Sequence, residues 1–326
     1  MLTEFLNKNI SKNAYTNTNM NSQKFFNSSR VKRVKPKLLE ELEENGFAIV
    51  EGVLNEDEIK NALEMFHSWR KSVPDLDFQH NVLDPHGIYK FHEVGHQRHA
   101  WYIRTRPNVK KAFSDLWGSD DLITSYDGSC YLPAETKKKD KLWTHTDQGS
   151  PSGGEIDELK CFQGFVALTS NKHRTFTCYK KSHKLHALYF KEQGLKIKSN
   201  WNKIDKDYLD RIEDQKLVLE VPAGALVLWD SRTFHQNQYG PPDCNEERIV
   251  QYVCMLPRSH TENTKTNQSK RMKYFEERRT TSHWPCPLKV NGKQGRTFGD
   301  DRKLIDYEKL QKVELDDMIE DIMKLV

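Results

Sequence analysis

Long apolar stretches are missing from this sequence. No segment approaches the roughly 18 to 20 consecutive apolar residues that a membrane-spanning helix requires, so we predict no membrane span. Charge of one sign does not dominate either, because 51 Lys and Arg face 47 Asp and Glu, and a net charge of +4 is too small to indicate nucleic-acid binding. Charged residues nevertheless make up 30% of the chain and the mean hydropathy is −0.84, which is typical of a polar surface around an enclosed core.

The cysteines lack any C-x-x-C spacing, which argues against the common zinc sites and a thioredoxin-like motif. Several lie in apolar runs, as Cys254 does in the segment IVQYVCM, so we expect free, buried thiols in a reducing compartment. No apolar signal-peptide segment is present, and we predict an intracellular, cytoplasmic protein. An Asn-, Ser- and Lys-rich beginning leaves import into an organelle open. The six cysteines are at positions 130, 161, 178, 244, 254 and 286.

The composition changes twice along the chain and predicts three parts. Residues 1–37 carry one acid against eight Lys and Arg, and we expect a disordered basic tail. Residues 38–257 show the helix and strand patterns of one ordered domain. In the extension 258–326, apolar residues from about Leu304 predict a terminal amphipathic helix that packs on the core. The region 76–110 holds five histidines without metal-ligand spacing, and we expect a loop-rich edge of the functional site there.

From Leu122 onward, short β-type runs alternate with turns. Many short strands separated by Gly- and Pro-containing turns are typical of a sandwich or barrel. Because helical patterns precede and follow these runs, we predict a mainly β fold with flanking helices. The expected strands are 122–126, 141–145, 161–168, 175–179, 216–221, 225–229 and 248–256.

The segment His145-Thr146-Asp147 has the spacing of a metal site. Alternate residues of a strand point to the same side, so the imidazole of His145 and the carboxylate of Asp147 would share one cavity. An imidazole from His235 would complete a two-histidine, one-carboxylate set that suits non-haem Fe(II) and leaves positions for O2 and a co-substrate. Alone the tripeptide is weak evidence, since with 13 histidines about one His-x-Asp is expected by chance. The ordinary alternative for His145 is an edge-strand histidine bonded to a neighbouring acid.

Arg248 begins an expected strand thirteen residues after His235. Its planar guanidinium offers two parallel donors to a carboxylate in a partly buried site. Taken alone, Arg248 is more simply interpreted as a surface ion pair with Glu246 or Glu247. The ordered succession of the tripeptide, His235 and Arg248 instead favours a carboxylate-binding role.

Five segments, taken in order, resemble the phytanoyl-CoA dioxygenase-like (PhyH) family of Fe(II)- and 2-oxoglutarate-dependent oxygenases. The resemblance extends from about Leu39 to Leu256. The matching segments are ENGFAIV with GVLN (44–50 and 52–55), WTHTDQ (143–148), QGFVALT (163–169), KSHK (181–184), and the stretch from Gly224 to His235 followed by Arg248.

The resemblance implies a double-stranded β-helix, the jelly-roll of cupin-like proteins, with helices packed on one sheet. It implies that His145, Asp147 and His235 bind Fe(II) and act in catalysis with O2. Retention of Asp147 favours hydroxylation of an unactivated C–H bond in a small-molecule or lipid-like substrate, since related halogenases lack this carboxylate. The residues implied to bind the co-substrate 2-oxoglutarate are Arg248, Gln163, Phe165 and Asn237.

Three alternatives remain open at the level of sequence. One is a metal-dependent cupin enzyme that does not use 2-oxoglutarate, and another is a non-catalytic jelly-roll binding protein. A nucleic-acid-associated protein, suggested by the basic tail and by residues 137–139, is the weakest, because charge runs are usually solvated loops. The basic loop 180–184 would suit an anionic substrate. The sequence predicts neither the identity of the substrate nor the oligomeric state.

Overall fold

The computed structural model describes residues 36–83, 86–153, 158–197 and 199–326. The basic tail expected over 1–37 therefore lies outside the described residues, apart from its last two. Pro36–Val326 fold as one unit. Its helices are α1 (Lys37–Asn45), α2 (Glu56–Ser72), α3 (Leu76–Leu83), α4 (Arg98–Thr105), α5 (Pro107–Trp117), α6 (Ser182–Glu192), α7 (Lys206–Asp210), α8 (Lys265–Glu276) and α9 (Ile319–Met323).

Local signals fix where the first helices begin and end. Asn55 starts α2 in a capping box, in which its side chain accepts the backbone N–H of Glu58 at 2.9 Å and the Glu58 carboxylate accepts that of Asn55 at 3.0 Å. Gly46 ends α1 with φ at +84°, and a Cβ there would lie 2.5 Å from Nδ1 of His183. Only glycine meets both requirements, so the chain can turn directly from α1 into the first strand.

The described strands form two larger antiparallel sheets and one small one. The larger sheet has the order β1-β10-β6-β12-β4-β2, its partner has the order β8-β5-β11-β7-β9, and β13 pairs with β3. The strands are β1 (Phe47–Val50), β2 (Ile88–Tyr89), β3 (Leu122–Thr124), β4 (Ser129–Leu132), β5 (His145–Thr146), β6 (Phe162–Ala167), β7 (Phe176–Tyr179), β8 (Asn202–Lys203), β9 (Lys216–Val218), β10 (Leu226–Asp230), β11 (His235–Asn237), β12 (Arg248–Val253) and β13 (Met255–Pro257).

The order in which the strands enter the two sheets defines a jelly-roll. Four of them, β4, β6, β10 and β12, form the middle of the six-stranded sheet, while β5, β7, β9 and β11 form most of its partner. The chain thus crosses between sheets at almost every turn, which is the winding of a double-stranded β-helix. The expected fold class, mainly β with flanking helices around this core, is confirmed.

The two faces of the six-stranded sheet are both buried, each against a different layer. On the inner face Phe165, Trp229 and Tyr252 meet Phe176 of the smaller sheet. On the outer face residues such as Val166, Leu228 and Ile249 are covered by α1, α2, α4 and α5. Burial on both faces explains why β6, β10 and β12 are almost continuously apolar rather than alternating. It also leaves the inner face free to enclose a site between the sheets.

The prediction of a continuous helix from Leu304 is wrong for most of the segment. Between residues 301 and 318 the chain makes three separate 3-10 turns, and the α-helix begins only at Ile319. The carboxylates of Asp300 and Asp306 accept the backbone N–H groups of Arg302 and Glu308, which stabilises isolated turns in place of a continuous helix. Apolar periodicity alone does not show that such side-chain hydrogen bonds compete with the helix.

The short final helix nevertheless packs on the core. Ile322 is fully buried in a cluster with Trp101, Tyr126 and Phe275, so this part of the extension is tied to α4 and α8. We expect Ile322→Ala to lower the free energy of unfolding by about 2–5 kcal/mol, measured by urea denaturation. The matched change Leu304→Ala, at a residue that is 46% exposed, should stay within about 0.5 kcal/mol of wild type. Equal effects of the two variants would contradict the placement of the helix.

The cysteines and the helices were also the subject of sequence predictions. All six cysteines are buried and free, as predicted. Within the described ranges, none of the helices has the length and apolar character that a membrane crossing needs.

Candidate metal centre

His145, Asp147 and His235 come together between the sheets. His145 in β5 and His235 in β11 are direct partners across the antiparallel pair, and Asp147 follows His145 on the same side of its strand. The Asp147 carboxylate lies between the imidazoles, with Oδ1 3.5 Å from Nε2 of His145 and Oδ2 3.3 Å from Nε2 of His235. One donor atom from each side chain falls within 4.8 Å of the other two, and all three residues are buried. A single ion could contact all three.

The second nitrogen of each imidazole is already occupied. Nδ1 of His145 lies 3.2 Å from the backbone oxygen of Trp143, and Nδ1 of His235 lies 2.9 Å from that of Thr233. A carbonyl can only accept, so each Nδ1 carries a hydrogen, and each Nε2 is left facing the Asp147 carboxylate. This backbone support of the outer nitrogen is typical of histidines that bind metals.

The charges of the three groups also suit a divalent cation. Burial lowers the pKa of His145, and the adjacent His235 lowers it further, so the imidazole is neutral at neutral pH. Burial alone would raise the pKa of Asp147, but His145 and His235 outweigh it and hold the pKa well below its usual range. A neutral imidazole and an ionised carboxylate are forms that bind a metal without first losing a proton.

Gln163 holds the carboxylate from the neighbouring sheet. Its Nε2 donates to Oδ2 of Asp147 at 3.1 Å, and it is completely buried in β6. We expect Gln163→Leu to weaken Mn2+ binding about 10- to 100-fold, because loss of this donor frees the carboxylate to rotate. Calorimetric titration of the purified protein with Mn2+ measures the effect. Gln268→Leu, a glutamine change on the distant helix α8, serves as control, and an affinity unchanged in both variants would contradict the role of Gln163.

Arg248 is buried without an acidic partner. Its guanidinium stands 5.3 Å from the centre of the Phe165 ring, and Nη1 donates to the sulfur of Cys130 at 3.2 Å. Nη2 is enclosed, and none of the described residues accepts a hydrogen bond from it. The ion pair with Glu246 or Glu247 considered above is not formed among the described residues. Glu246 instead accepts backbone N–H groups of the 172–174 turn.

The other two residues expected around the co-substrate lie close to this position. Asn237 lines the cavity and donates to the hydroxyl oxygen of Tyr252 at 3.2 Å. Phe165 is buried behind the cavity wall, in contact with Phe176, whose ring stacks on His235 at 5.2 Å. A continuous layer of rings therefore connects the guanidinium of Arg248 to the histidine pair.

A cavity of about 410 Å3 opens directly onto the three clustered side chains. Part of its wall comes from the C-terminal extension, including Thr281, His283 and Trp284. His283 approaches the centre, with Nε2 4.0 Å from Oδ2 of Asp147. Burial would lower the pKa of His283, but the carboxylate of Asp127, bonded to Nδ1, outweighs it and raises the pKa to about 9.

Sequence reasoning missed this contribution from the extension. Neither His283 nor Asp127 stands in a recognisable motif, and they are 156 positions apart. The tryptophans at 201 and 284, which also line the cavity, lie in short polar segments without strand periodicity. The cluster WPCP at 284–287 was the one local signal near this wall.

The histidine-rich region is only in part what the sequence predicts. It is largely helical, with α3, α4 and the start of α5, rather than loop-rich. His86 does line the cavity, but His96 and His99 are buried elsewhere and bond to the Arg279 carbonyl and the Ser129 hydroxyl. Buried apolar residues near these histidines, such as Ala100, Trp101 and Ile103, lie in a helix rather than a loop.

Two lysines of the basic loop expected to attract an anion share one acidic partner, which reduces the charge of the loop. Lys181 and Lys184 both form ion pairs with Glu44, at 2.5 and 2.7 Å. The lysines that line the cavity are instead Lys90 and Lys289. The sequence could not place Glu44 beside this loop, since 137 residues separate it from Lys181.

Comparison with known proteins gives one sequence relative and a set of structural neighbours, while no family model matches the chain. The Ava biosynthesis cluster protein O of Aspergillus versicolor is 30% identical over 194 residues, which are 55% of this chain and 61% of that protein. The product of GlcNAc Inducible Gene 2 from Candida albicans aligns with a TM-score of 0.58 and 16% identity, over 87% of this chain and 73% of its own. A protein from Salmonella typhimurium LT2 also gives 0.58 at 16% identity, over 88% and 81%. At such identities the structural likeness establishes a shared fold, and the sequence alignment covers less than two thirds of the Aspergillus protein.

Proposed function

We propose that the chain is an Fe(II)- and 2-oxoglutarate-dependent oxygenase that hydroxylates an unactivated C–H bond of a small molecule. The observation that carries the proposal is the convergence of His145, Asp147 and His235 in the lining of one cavity, with one donor atom of each within 4.8 Å of the other two. Two imidazoles and one carboxylate leave adjacent coordination positions open, and this donor set suits divalent iron. The five ordered segments that resemble PhyH-type oxygenases support the same assignment.

The chain's own residues would hold and orient the reactants. His145, Asp147 and His235 would bind the iron, with Gln163 keeping the carboxylate in place. Bound iron supplies the activation of O2 that couples decarboxylation of 2-oxoglutarate to oxidation of a substrate C–H bond. The buried rings of Phe165 and Phe176 would help to keep water away from the bound reactants.

Arg248 would bind the far carboxylate of 2-oxoglutarate. A buried guanidinium without an acidic partner is costly, and a carboxylate ligand would supply both the missing charge and the acceptor for Nη2. Asn237 and Tyr252 would offer further polar contacts on the cavity side. This feature favours the 2-oxoglutarate-dependent reaction over a cupin enzyme without that co-substrate.

The substrate is proposed as a small molecule. The cavity, of about 410 Å3, has room for a compact ligand. The Aspergillus relative is named for a biosynthesis cluster. The complete ligand set favours an active enzyme over a non-catalytic binding protein.

Succinate release tests the proposal. Purified protein with Fe(II), ascorbate, 2-oxoglutarate and air, screened against pooled small metabolites, should release succinate and CO2 in equal amounts above the no-metal control. Asp147→Ala protein provides the matched blank. The absence of any succinate above this blank, with every pool, would contradict the proposal.

A further inference from the structure

One side of the cavity is lined by a series of parallel rings. His86 stacks on Trp143 with centroids 4.0 Å apart and planes inclined by 20°. Trp143 stacks on His145 at 5.0 Å and 20°, and His145 stacks on Trp201 at 5.3 Å and 30°. We call these four residues the ring ladder. It passes through His145 and ends at Trp201.

Trp201 is held where a side chain of its size is unfavourable. The residue is 51% exposed, and its backbone adopts φ at +70°, a left-handed conformation that bulky residues rarely adopt. The following residue, Asn202, pairs with Thr146 in the antiparallel sheet, which fixes the indole beside the histidine. An exposed, strained tryptophan at a cavity is more readily explained by ligand contact than by folding, since strain tends to collect at binding sites.

Shielding His145 from water is the simpler role for Trp201. That role would be filled by any apolar side chain and requires no other aromatic residue. Four of the chain's seven tryptophans, however, line this one cavity. Trp143 and Trp201 flank His145, while Trp229 comes from β10 and Trp284 from the C-terminal extension. Rigid, flat side chains of this kind present a large contact area at little cost in conformational entropy.

We propose that the cavity selects a planar, unsaturated ring system, which stacks on Trp201 at the end of the ring ladder. The inference rests on the function proposed above, because it names the substrate class of that same site. Offset stacking between π-systems contributes beyond the burial of apolar area, and Trp201 has an indole surface available for it.

A matched pair of neutral probes separates stacking from plain apolar burial. 2-Naphthol and decahydro-2-naphthol share a carbon skeleton and a hydroxyl group, but only the first is flat. The saturated compound has more apolar surface, so burial alone predicts that it binds at least as tightly. Selection by stacking predicts that 2-naphthol binds about fivefold to tenfold more tightly.

Equilibrium dialysis of the full chain against each probe measures this preference. Trp201→Phe should retain most of it, and Trp201→Leu, which keeps an apolar side chain but no ring, should abolish it. Phe298→Leu, a change at an aromatic residue that is 78% exposed and lies outside the cavity lining, should leave it unaltered. Circular dichroism of each variant establishes that it is folded.

The proposal is overturned if decahydro-2-naphthol binds as tightly as 2-naphthol, if 2-naphthol does not bind, or if Trp201→Leu keeps the preference. Dialysis is done on metal-free protein and on protein loaded with Mn2+ and 2-oxoglutarate. If the protein prefers 2-naphthol but releases no succinate with any pool, the planar-ligand site is supported and the oxygenase function is contradicted. If succinate is released but 2-naphthol is not preferred, the oxygenase function is supported and the planar-ligand site is contradicted.

Discussion

Replacing Asp147 with alanine is expected to abolish 2-oxoglutarate turnover and to weaken Mn2+ binding by more than about 100-fold. Loss of a residue that only supports a ligand costs about 10- to 100-fold in affinity, and loss of the ligand itself should exceed that range. Asp147 contributes the carboxylate of the cluster, and this carboxylate lies between the imidazoles of His145 and His235. Without it, His145 and His235 would face a divalent cation with no compensating charge.

The effect of Asp147→Ala is measured by Mn2+ calorimetry together with succinate release. Asp115→Ala supplies the control, since this exposed aspartate pairs with Lys111 on the surface of α5. Metal affinity in Asp147→Ala within tenfold of wild type would contradict the assignment of the ligand set. A loss in both variants would indicate unfolding, which the thermal melting of each protein detects.

Replacing Arg248 with methionine is expected to weaken 2-oxoglutarate binding between about 30-fold and several thousandfold. Removal of one partner of a buried, hydrogen-bonded charge pair costs about 2–5 kcal/mol, and each 1.4 kcal/mol is tenfold in Kd. The methionine keeps the apolar stem between Phe165 and Cys130 while removing the charge. The paired carboxylate of 2-oxoglutarate would then be buried alone.

The same change should not destabilise the protein without 2-oxoglutarate. In that state Arg248 is a buried cation with an unsatisfied Nη2, and an apolar residue of similar length is often neutral or stabilising at such a position. Thermal melting with and without 2-oxoglutarate measures both effects. Wild type should gain about 2.7 kcal/mol at a ligand concentration 100 times its Kd, and the variant should gain much less.

Arg211→Met is the control for the arginine, because Arg211 is exposed and pairs with Glu192 far from the cavity. If Arg248→Met binds 2-oxoglutarate as wild type does, the co-substrate site lies elsewhere. If Arg248→Met loses stability in the absence of ligand, the guanidinium is a structural element of the core.

The sequence is most informative where chemistry and periodicity coincide. His145 and Asp147 lie two positions apart on a strand, so their shared direction follows from strand geometry alone. Their partner His235 is 90 residues away, and its place beside them depends on the antiparallel pairing of β5 with β11. That pairing could be anticipated only through the ordered family resemblance.

The features that the sequence does not predict are those that depend on contacts across the fold. His283 reaches the site because this part of the extension lines the cavity and the His283 imidazole bonds to Asp127. Trp201 reaches it through the short strand β8, which has no apolar alternation to mark it. The contacts of Glu246 could not be predicted either, since its carboxylate accepts backbone N–H groups of a turn that is 72 to 74 positions away in sequence.

The mismatch at Leu304 shows a different limit. The apolar spacing there is compatible with a helix, and Ile305, Met318 and Ile322 are indeed buried. The backbone there forms separate turns followed by a short helix, and aspartate side chains start the first two of these turns. Periodicity predicted which residues face the core and failed to predict the backbone that carries them there.

Diffraction from crystals grown with Mn2+ and 2-oxoglutarate would test the central claim most directly. The account predicts an anomalous peak at ligating distance from Nε2 of His145, Nε2 of His235 and one oxygen of Asp147, with the far carboxylate of 2-oxoglutarate bonded to the guanidinium of Arg248. A metal peak away from these three side chains, or 2-oxoglutarate bound without Arg248, would contradict it.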